Sequence, residues 1–242
     1  MQRYFIESSQ INNNRIMIIG SDVHHIKNVM RMKIGEHVTC CDENQKVYFA
    51  SIVDISDKII LEIIEELMIN NELDIEVTIA HGLVRREKAE EVIRRMTELG
   101  GYEYIPLDMK RSIVHAKNDK SERWQRIIKE ASEQSQRNRL MKVGEITNIN
   151  DLLKNKQKYD LCLFADVNAK TYNFKEIIND FSEKSILIIV GPEGGFDKSE
   201  IETLLNNGFK AVSLGKTILR TETAPLYIMS VLNYEFGERK WK

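Results

Sequence analysis

The sequence contains few residues that cross-link a fold or interrupt its helices and strands: its 242 residues include three cysteines, three prolines and 12 glycines. An odd number of cysteines excludes a complete disulfide framework, and no second cysteine pair completes a zinc site. Apolar runs such as residues 186–190 are far shorter than the roughly 20 residues of a membrane span, and no signal-peptide core follows Met1. We therefore expect a cytoplasmic protein of a reducing compartment, with neither a membrane nor a metal as partner.

The remaining composition is that of a folded protein with a core. The chain is 42% hydrophobic and 30% charged, which excludes disordered, collagen-like and low-complexity classes. Its length predicts one large domain or two smaller ones.

Charge is distributed unevenly along the chain. The net charge of −2 argues against a nucleic-acid partner, but residues 109–142 carry +6 while the remainder carries −8. A local basic segment on an acidic protein indicates where an anion would bind. A solvated helix face explains the same charge equally well at this stage.

Two architectures follow one another along the chain. The first 66 residues have five short β patterns at regular spacing, interrupted by one short helix after Ser21, and this predicts a small barrel. From Ile75 onward strands alternate with helices, which predicts a mostly parallel sheet covered by helices. Asp197 and Glu200 stand in the register of a capping box before one of these helices.

Ligands of parallel sheets bind beyond the carboxyl ends of the strands. Two predicted strand ends carry unusual loops: Gly191–Gly195 holds three glycines and a proline, and Gly215–Ala224 ends in alternating hydroxyls and a carboxylate that suit a helix cap. The loop after Ala165 is less distinctive. Neither unusual loop has the spacing of a phosphate-binding fingerprint.

Three motifs resemble those of the bacterial 16S ribosomal RNA uridine-N3 methyltransferase family, within the SPOUT superfamily. They are Glu133–Ser135, Gly191–Gly195 and Leu214–Ala224. The segments Met1–Phe5, His25–Met32 and Thr97–Gly100 resemble the family as well, in the family's order. The resemblance spans nearly the whole chain, and the Leu214–Ala224 run is its most specific part.

The resemblance implies an α/β fold of two domains: a PUA-like RNA-binding β-barrel over residues 1–70 and a SPOUT methyltransferase domain over residues 73–242. It implies a deep trefoil knot around the parallel sheet, at about residues 160–240. It also implies a homodimer that uses S-adenosylmethionine to make 3-methyluridine in the decoding region of 16S ribosomal RNA. Either the RNA or the small ribosomal subunit is then the substrate.

The resemblance and the loop chemistry together assign site residues. Arg220 is the best catalytic candidate, because a guanidinium stabilises negative charge on the uracil oxygens as N3 loses its proton. Glu222 is a candidate proton acceptor and equally a helix cap. The cofactor pocket is assigned to Gly191, Pro192, Glu193, Gly194, Gly195, Leu214, Gly215, Ile218, Leu219, Arg220, Thr221 and Ala224. RNA binding is assigned to Arg3, His24, Arg31, Arg111, Arg137 and Arg139.

Two other functions stay open at this point. One is a non-enzymatic RNA-binding ribosome assembly factor with a relict methyltransferase domain, which the intact loops disfavour. The other is a nucleotide-binding α/β enzyme of different chemistry, which the missing phosphate fingerprints disfavour. The chain departs from the family pattern at Arg95, Gly101 and Leu140–Met141, away from the proposed cofactor loops.

Overall fold

A computed structural model describes residues 1–114, 121–169 and 172–237. Two compact units divide the chain: residues 1–72 with 129–140, and residues 73–128 with 141–242. The domain limits expected from the sequence, 1–70 and 73–242, stay predictions. Residues 115–120 of the basic segment, and residues 170–171 and 238–240 of the predicted knot, lie outside the described residues.

The first unit contains a six-stranded sheet. Its strands are β1 (Arg3–Phe5), β2 (Ile11–Asn12), β3 (Arg15–Ile18), β4 (His37–Cys41), β5 (Val47–Ile55) and β6 (Ile59–Leu67). They pair in the order β1-β4-β5-β6-β3-β2, and every pair except the parallel β1–β4 is antiparallel. Closure of this sheet into a barrel stays a prediction. Helix α1 (Ser21–His24) continues as a π-helical turn over His25–Val29.

The second unit is built on a parallel sheet. Its strands are β7 (Glu76–Gly82), β8 (Glu103–Asp108), β9 (Lys142–Val143), β10 (Thr147–Asn148), β11 (Leu161–Ala165), β12 (Tyr172–Asn173), β13 (Ser185–Val190) and β14 (Lys210–Ser213). They pair in the order β10-β8-β7-β13-β11-β14-β12, with β9 on β8, and all the pairings are parallel. The predicted parallel sheet is confirmed.

Helices alternate with these strands. They are α2 (Arg86–Glu98), α3 (Ser121–Gln134), α4 (Ile149–Leu153), α5 (Phe174–Asn179), α6 (Lys198–Asn206) and α7 (Thr223–Phe236). The sequence analysis did not predict α4 or the two-residue strands β9, β10 and β12, because such short elements have no measurable periodicity. Within the described ranges, the helices are too short or too polar to cross a bilayer.

The sheet has a hydrophobic core on each face. Ile186, Ile188 and Val190 of β13 pack into one cluster of buried side chains, while Leu187 and Ile189 pack into another. Successive side chains of a strand point to opposite faces, so a continuous apolar run fits a strand covered on both sides. Burying each of these side chains contributes about 1.5–3 kcal/mol.

The strand register brings the carboxyl ends together. Val190, the last residue of β13, pairs with Ala165 of β11 on one side and His81 of β7 on the other. Ala165 in turn pairs with Val212 of β14. The loops that follow β11, β13 and β14 therefore leave the sheet at one edge.

Candidate functional site

A cavity of about 720 Å³ opens at this edge of the parallel sheet. Its walls come from the loops that follow β11, β13 and β14, together with side chains from α2 and from the segment after β8. Parallel sheets bind ligands at this edge, and the volume lies in the range of small-molecule sites. We call this space the loop cavity.

The glycine turn at Gly191–Gly195 forms one wall of the loop cavity. The Gly195 N–H donates to the Pro192 carbonyl at 2.9 Å, and Gly195 has φ +68°, a conformation that disfavours a side chain. At Gly194 the reason for glycine is space, because a Cβ would lie 2.9 Å from both the Cβ and the carbonyl oxygen of Arg111. The segment that carries Arg111 is thus packed directly onto the turn.

Helix α6 begins shortly after this turn, and side-chain hydrogen bonds stabilise its first turn. The Asp197 side chain accepts from the Ser199 N–H, and the Glu200 carboxylate accepts from the Asp197 N–H at 2.8 Å. The predicted capping box is therefore confirmed. Glu200 also accepts from the Lys110 N–H at 2.8 Å, which ties the segment after β8 to the same helix start.

The second wall is the loop before α7, and its hydrogen bonds differ from those predicted. The Thr221 hydroxyl donates to the Gly191 carbonyl at 2.6 Å, so it joins the two loops and does not cap the helix. Glu222 occupies the N-cap position, but its side chain makes no capping hydrogen bond. The interpretation of Glu222 as a side-chain cap was wrong, because its carboxylate is drawn to a lysine from another helix.

That lysine is Lys88 of α2. Its ammonium lies 3.0 Å from Glu222 Oε2 and 3.2 Å from Glu193 Oε1, and so it bridges the two loops. Burial alone would raise the pKa of Glu222, but its own backbone N–H and the ion pair with Lys88 lower it below its ordinary value. The two carboxylates also raise the pKa of Lys88, mainly through hydrogen bonds. The carboxylate and the ammonium are both charged at neutral pH.

Arg220 is exposed at the loop cavity. Its backbone carbonyl accepts from the N–H groups of Thr223 and Ala224 at 2.9 and 3.0 Å, which fixes the residue at the start of α7. Within the described part of the chain, the Arg220 guanidinium makes no hydrogen bond or ion pair. It is therefore available to an anionic or carbonyl-bearing ligand.

The structure brings together all the residues that the sequence analysis assigned to the cofactor, although that assignment itself stays a prediction. Each of them lines the loop cavity, as do both catalytic candidates: Gly191, Pro192, Glu193, Gly194, Gly195, Leu214, Gly215, Ile218, Leu219, Arg220, Thr221, Glu222 and Ala224.

Two of the residues assigned to RNA binding are buried. Arg3 and Arg137 are each only 2% exposed. The Arg3 guanidinium donates to the carbonyls of Gln136 and Arg137, and Arg137 forms an ion pair with the buried Glu72. The prediction that Arg3 and Arg137 contact RNA is wrong, because their charged groups bind buried groups of the protein itself. Basic charge alone does not distinguish a surface arginine from a buried one.

The other candidates have different surroundings. His24 and Arg31 are exposed on the first unit, while Arg139 is partly buried with its Nε 3.0 Å from Glu72. Arg111 lines the loop cavity, where its guanidinium lies 3.4 Å from the Gly194 carbonyl and from Asp197. The assignment of these four residues to RNA stays a prediction.

Sequence reasoning missed several residues of the site. The strand-end rule pointed to the loop Asp166–Asn168, but the loop was interpreted as an ordinary connection, whereas the structure places it in the wall of the loop cavity. Lys88 was not considered, although the same rule applies to the end of β7 that precedes its helix. Sequence reasoning also missed His81, whose buried ring contacts Thr221. In residues 1–114, 121–169 and 172–237, no three His, Cys, Asp or Glu side chains group as metal ligands.

Comparison with known proteins matches two family models in chain order. Residues 18–66 match an RNA methyltransferase PUA domain, and residues 71–233 match an RNA methyltransferase domain. The second match covers more than half of the chain and includes every wall of the loop cavity.

Individual relatives are similar over almost their entire length. The chain is 39% identical to ribosomal RNA small subunit methyltransferase E of Bacillus subtilis, over 97% of each protein. It is 32% identical to the protein of the same name from Mesomycoplasma hyopneumoniae, over 95% of this chain and 98% of the relative.

A solved structure agrees with these relatives. The crystal structure of a ribosomal RNA small subunit methyltransferase E from Neisseria gonorrhoeae, bound to S-adenosyl methionine, superposes with a TM-score of 0.85. The two chains are 28% identical, and the match covers 97% of each. The chain therefore belongs to the RNA methyltransferase family of the ribosomal RNA small subunit methyltransferase E proteins.

Proposed function

We propose that this protein transfers the methyl group of S-adenosylmethionine to N3 of a uridine in 16S ribosomal RNA. The single observation that carries the proposal is that the family's cofactor motifs, distant in sequence, line one cavity at the carboxyl edge of the sheet. Family membership and the relative bound to S-adenosyl methionine support the same cofactor. A relict domain without activity is not favoured, since all three walls of the cavity are complete.

The residues of the loop cavity fit this cofactor. Leu214, Ile218 and Leu219 offer an apolar surface to a flat adenine ring, and the glycine turn offers backbone groups without side chains in the way. Glu193 and Glu222 contribute negative charge that suits a cationic ligand. When bound, S-adenosylmethionine supplies an electrophilic methyl group on a sulfonium.

The protein's own part in the reaction is to orient the uracil and to stabilise the negative charge that develops on it. As N3 loses its proton, negative charge develops on the uracil oxygens; that charge disappears when the bond from N3 to the methyl carbon forms and the sulfur–methyl bond breaks, which would release S-adenosylhomocysteine. We assign Arg220 to stabilising that charge, because its guanidinium is exposed at the cavity and makes no hydrogen bond or ion pair with the described residues.

Glu222 is the proposed acceptor of the N3 proton. Its lowered pKa keeps it ionised at neutral pH, which is the form that can accept. The same low pKa makes it a weak base, so the proton would pass on to solvent. No metal is needed for this chemistry.

We propose that RNA is held by Arg111 at the loop cavity and by His24, Arg31 and Arg139 on the first unit. Arg111 lines the loop cavity and contacts the glycine turn. An arginine there would bind the phosphate backbone next to the target base.

We further propose that the protein is a homodimer and that residues 160–240 form a deep trefoil knot. Tyr227 and Tyr234 of the apolar helix α7 are 41% and 86% exposed, which supports a partner on this helix. The placement of β11 between β13 and β14 supports a chain that threads back through itself. Light scattering would test the dimer, since a monomeric mass at micromolar concentration contradicts it.

The decisive experiment for the function is incubation with methyl-labelled S-adenosylmethionine and small ribosomal subunits from a strain that lacks this methylation. We expect label in 16S RNA, recovered as 3-methyluridine after nucleoside digestion. A parallel reaction with naked 16S RNA decides which form is the substrate. Binding of subunits without transfer of label would instead support the assembly-factor function.

A further inference from the structure

A buried histidine stands behind the two loops of the proposed cofactor site. His81 is the penultimate residue of β7, and its side chain is fully buried. Its Nδ1 lies 3.2 Å from the Tyr104 hydroxyl, and its Nε2 lies 2.9 Å from the Thr221 hydroxyl oxygen. The Thr221 hydroxyl is in turn 2.6 Å from the Gly191 carbonyl. Four residues thus form one chain of hydrogen bonds that ends on the glycine turn.

The chemistry of the partners fixes the direction of every bond in this chain. The Gly191 carbonyl can only accept, so the single hydroxyl proton of Thr221 points to it. The Thr221 oxygen must then accept from His81, which places a proton on Nε2. The Thr221 carbonyl, 3.2 Å from the same nitrogen, can also only accept and requires the same proton. A neutral ring protonated at Nε2 has a free lone pair at Nδ1, which accepts from Tyr104.

The surroundings keep this arrangement in a single protonation state. Burial lowers the pKa of His81 to about 4, and this effect outweighs the opposing contribution of the Thr221 backbone and of Glu193 and Glu222. Burial also raises the pKa of the Tyr104 phenol, so it remains a donor. The ring is therefore neutral at neutral pH, with one defined donor and one defined acceptor.

We infer that His81 is a positioning residue, whose Nε2–H holds Thr221 and the glycine turn together at the loop cavity. The inference rests on the proposed function, in which both loops bind the cofactor. Thr221 lies between Arg220 and Glu222, and Gly191 begins the opposite wall, so one buried donor controls the spacing of both. Without that donor, two Thr221 oxygens lose a partner in the interior, and the loops lose the link to the strand beneath them.

Two pairs of substitutions together separate this role from simple packing. The side-chain amide of His81→Gln reaches the position of Nε2 and can donate to Thr221. The amide of the shorter His81→Asn reaches only the position of Nδ1. Asn is also one methylene shorter than Gln and leaves a larger cavity at this buried position, so packing alone would also make it the more disruptive of the two. The pair Thr221→Ser and Thr221→Val reverses the sizes with His81 intact. Val keeps the shape of Thr without its hydroxyl, and Ser keeps the hydroxyl without the methyl group, so packing alone would make Ser the more disruptive variant.

Two measurements decide the inference. The first is hydrogen–deuterium exchange of peptides covering residues 191–196 and 215–224, without any cofactor. We expect exchange at least tenfold faster in His81→Asn than in His81→Gln, and likewise in Thr221→Val than in Thr221→Ser. The second is the dissociation constant for S-adenosylmethionine by calorimetry, which we expect to rise at least tenfold in the Asn and Val variants and less than threefold in the Gln and Ser variants.

Equal exchange in the two folded Thr221 variants, or faster exchange in Thr221→Ser than in Thr221→Val, would overturn the role of His81. If both His81 variants failed to fold, the Thr221 pair alone would decide. Failure of the wild type to bind S-adenosylmethionine would refute the proposed function instead, while the exchange data would still test the link between the loops. The role of His81 and the proposed function can therefore be refuted independently of each other.

Discussion

The Lys88 ammonium lies 3.0 Å from Glu222 Oε2, and this ion pair joins the first turn of α2 to the loop before α7. The lysine side chain is 33% exposed and also contacts Glu193 at 3.2 Å. A carboxylate that would otherwise be destabilised by burial is thus kept ionised at the edge of the loop cavity. The charge state of Glu222 depends on a residue 134 positions earlier in the chain.

Replacing Lys88 should therefore change the titration of Glu222. In Lys88→Met we expect the pKa of Glu222 to rise, because burial still opposes ionisation while the ammonium that offset it is gone. Carboxyl-carbon NMR over a pH titration measures this. Arg86→Met is the matched control, since Arg86 lies on the same helix but pairs with Glu90. An unchanged Glu222 pKa in Lys88→Met would refute the pairing.

Arg220→Ala should separate binding from catalysis. We expect the dissociation constant for S-adenosylmethionine to stay within threefold of the wild type, while methyl transfer falls by about 10²–10³, as for the loss of one group that stabilises developing charge. Single-turnover kinetics and calorimetry measure the two quantities. Lys198→Ala, an exposed lysine on α6, should change neither. Loss of cofactor binding would make Arg220 a pocket residue, and a normal rate would remove its catalytic role.

Glu72→Gln should destabilise the first unit strongly. The Glu72 and Arg137 side chains are 4% and 2% exposed, and Glu72 also accepts from the Asn138 N–H at 2.8 Å. Breaking a buried ion pair by neutralising one partner costs about 3–5 kcal/mol, here through the lost charged contacts of Glu72 with Arg137 and Arg139. Urea unfolding gives the free energy. The exposed pair of Lys46 and Glu66 supplies the control, because Glu66→Gln should cost less than about 1 kcal/mol. Equal effects would contradict the buried pairing.

Glu133 should make stability depend on pH. Burial, with smaller repulsion from Asp22 and Glu130, raises its pKa from 4.5 to about 7, although Lys129 and the Phe5 N–H oppose the shift. The folded state then binds more protons than the unfolded state between these values, so the contribution of Glu133 to the free energy of unfolding falls as pH rises through this window.

The variant Glu133→Gln isolates this contribution. It should gain stability over the wild type by on the order of 2 kcal/mol between pH 4.5 and 7.5, because the amide does not titrate. Thermal unfolding as a function of pH measures the difference. Glu65→Gln, at an exposed position of β6, should follow the wild type at every pH. A pH-independent difference would show that Glu133 has an ordinary pKa.

RNA affinity should fall steeply with salt, and exposed arginines should determine the slope. Each phosphate contact contributes about one unit to the dependence of log K on log salt, so Arg31→Ala and Arg111→Ala should each reduce the slope by about 1. Filter binding of 16S RNA fragments between low and physiological salt measures it. Arg95→Ala is the control, because Arg95 is held by Glu91 and Glu98 on its own helix. Identical slopes in all variants would remove both arginines from the interface.

Much of the fold followed from local sequence patterns. Strand β13 was predicted at residues 186–190 and lies at Ser185–Val190, and the capping box of α6 was predicted from two residues. Periodicity and capping are properties of neighbouring residues, so they can be read without the tertiary fold. At the departure Gly101, by contrast, a Cβ would lie 3.1 Å from Met141 Sδ, a constraint imposed by a residue 40 positions later in the chain.

The sequence by itself determined the parallel sheet, the edge at which the loops meet and the family motifs in those loops. Only the tertiary structure decided which charged side chains are available to a ligand and which are paired inside the protein. It buried Arg3 and Arg137 among protein acceptors, paired Glu222 with Lys88, and placed His81 beneath Thr221. Burial, ion pairing and the position of a proton depend on partners far away in the chain, and no local pattern specifies those partners.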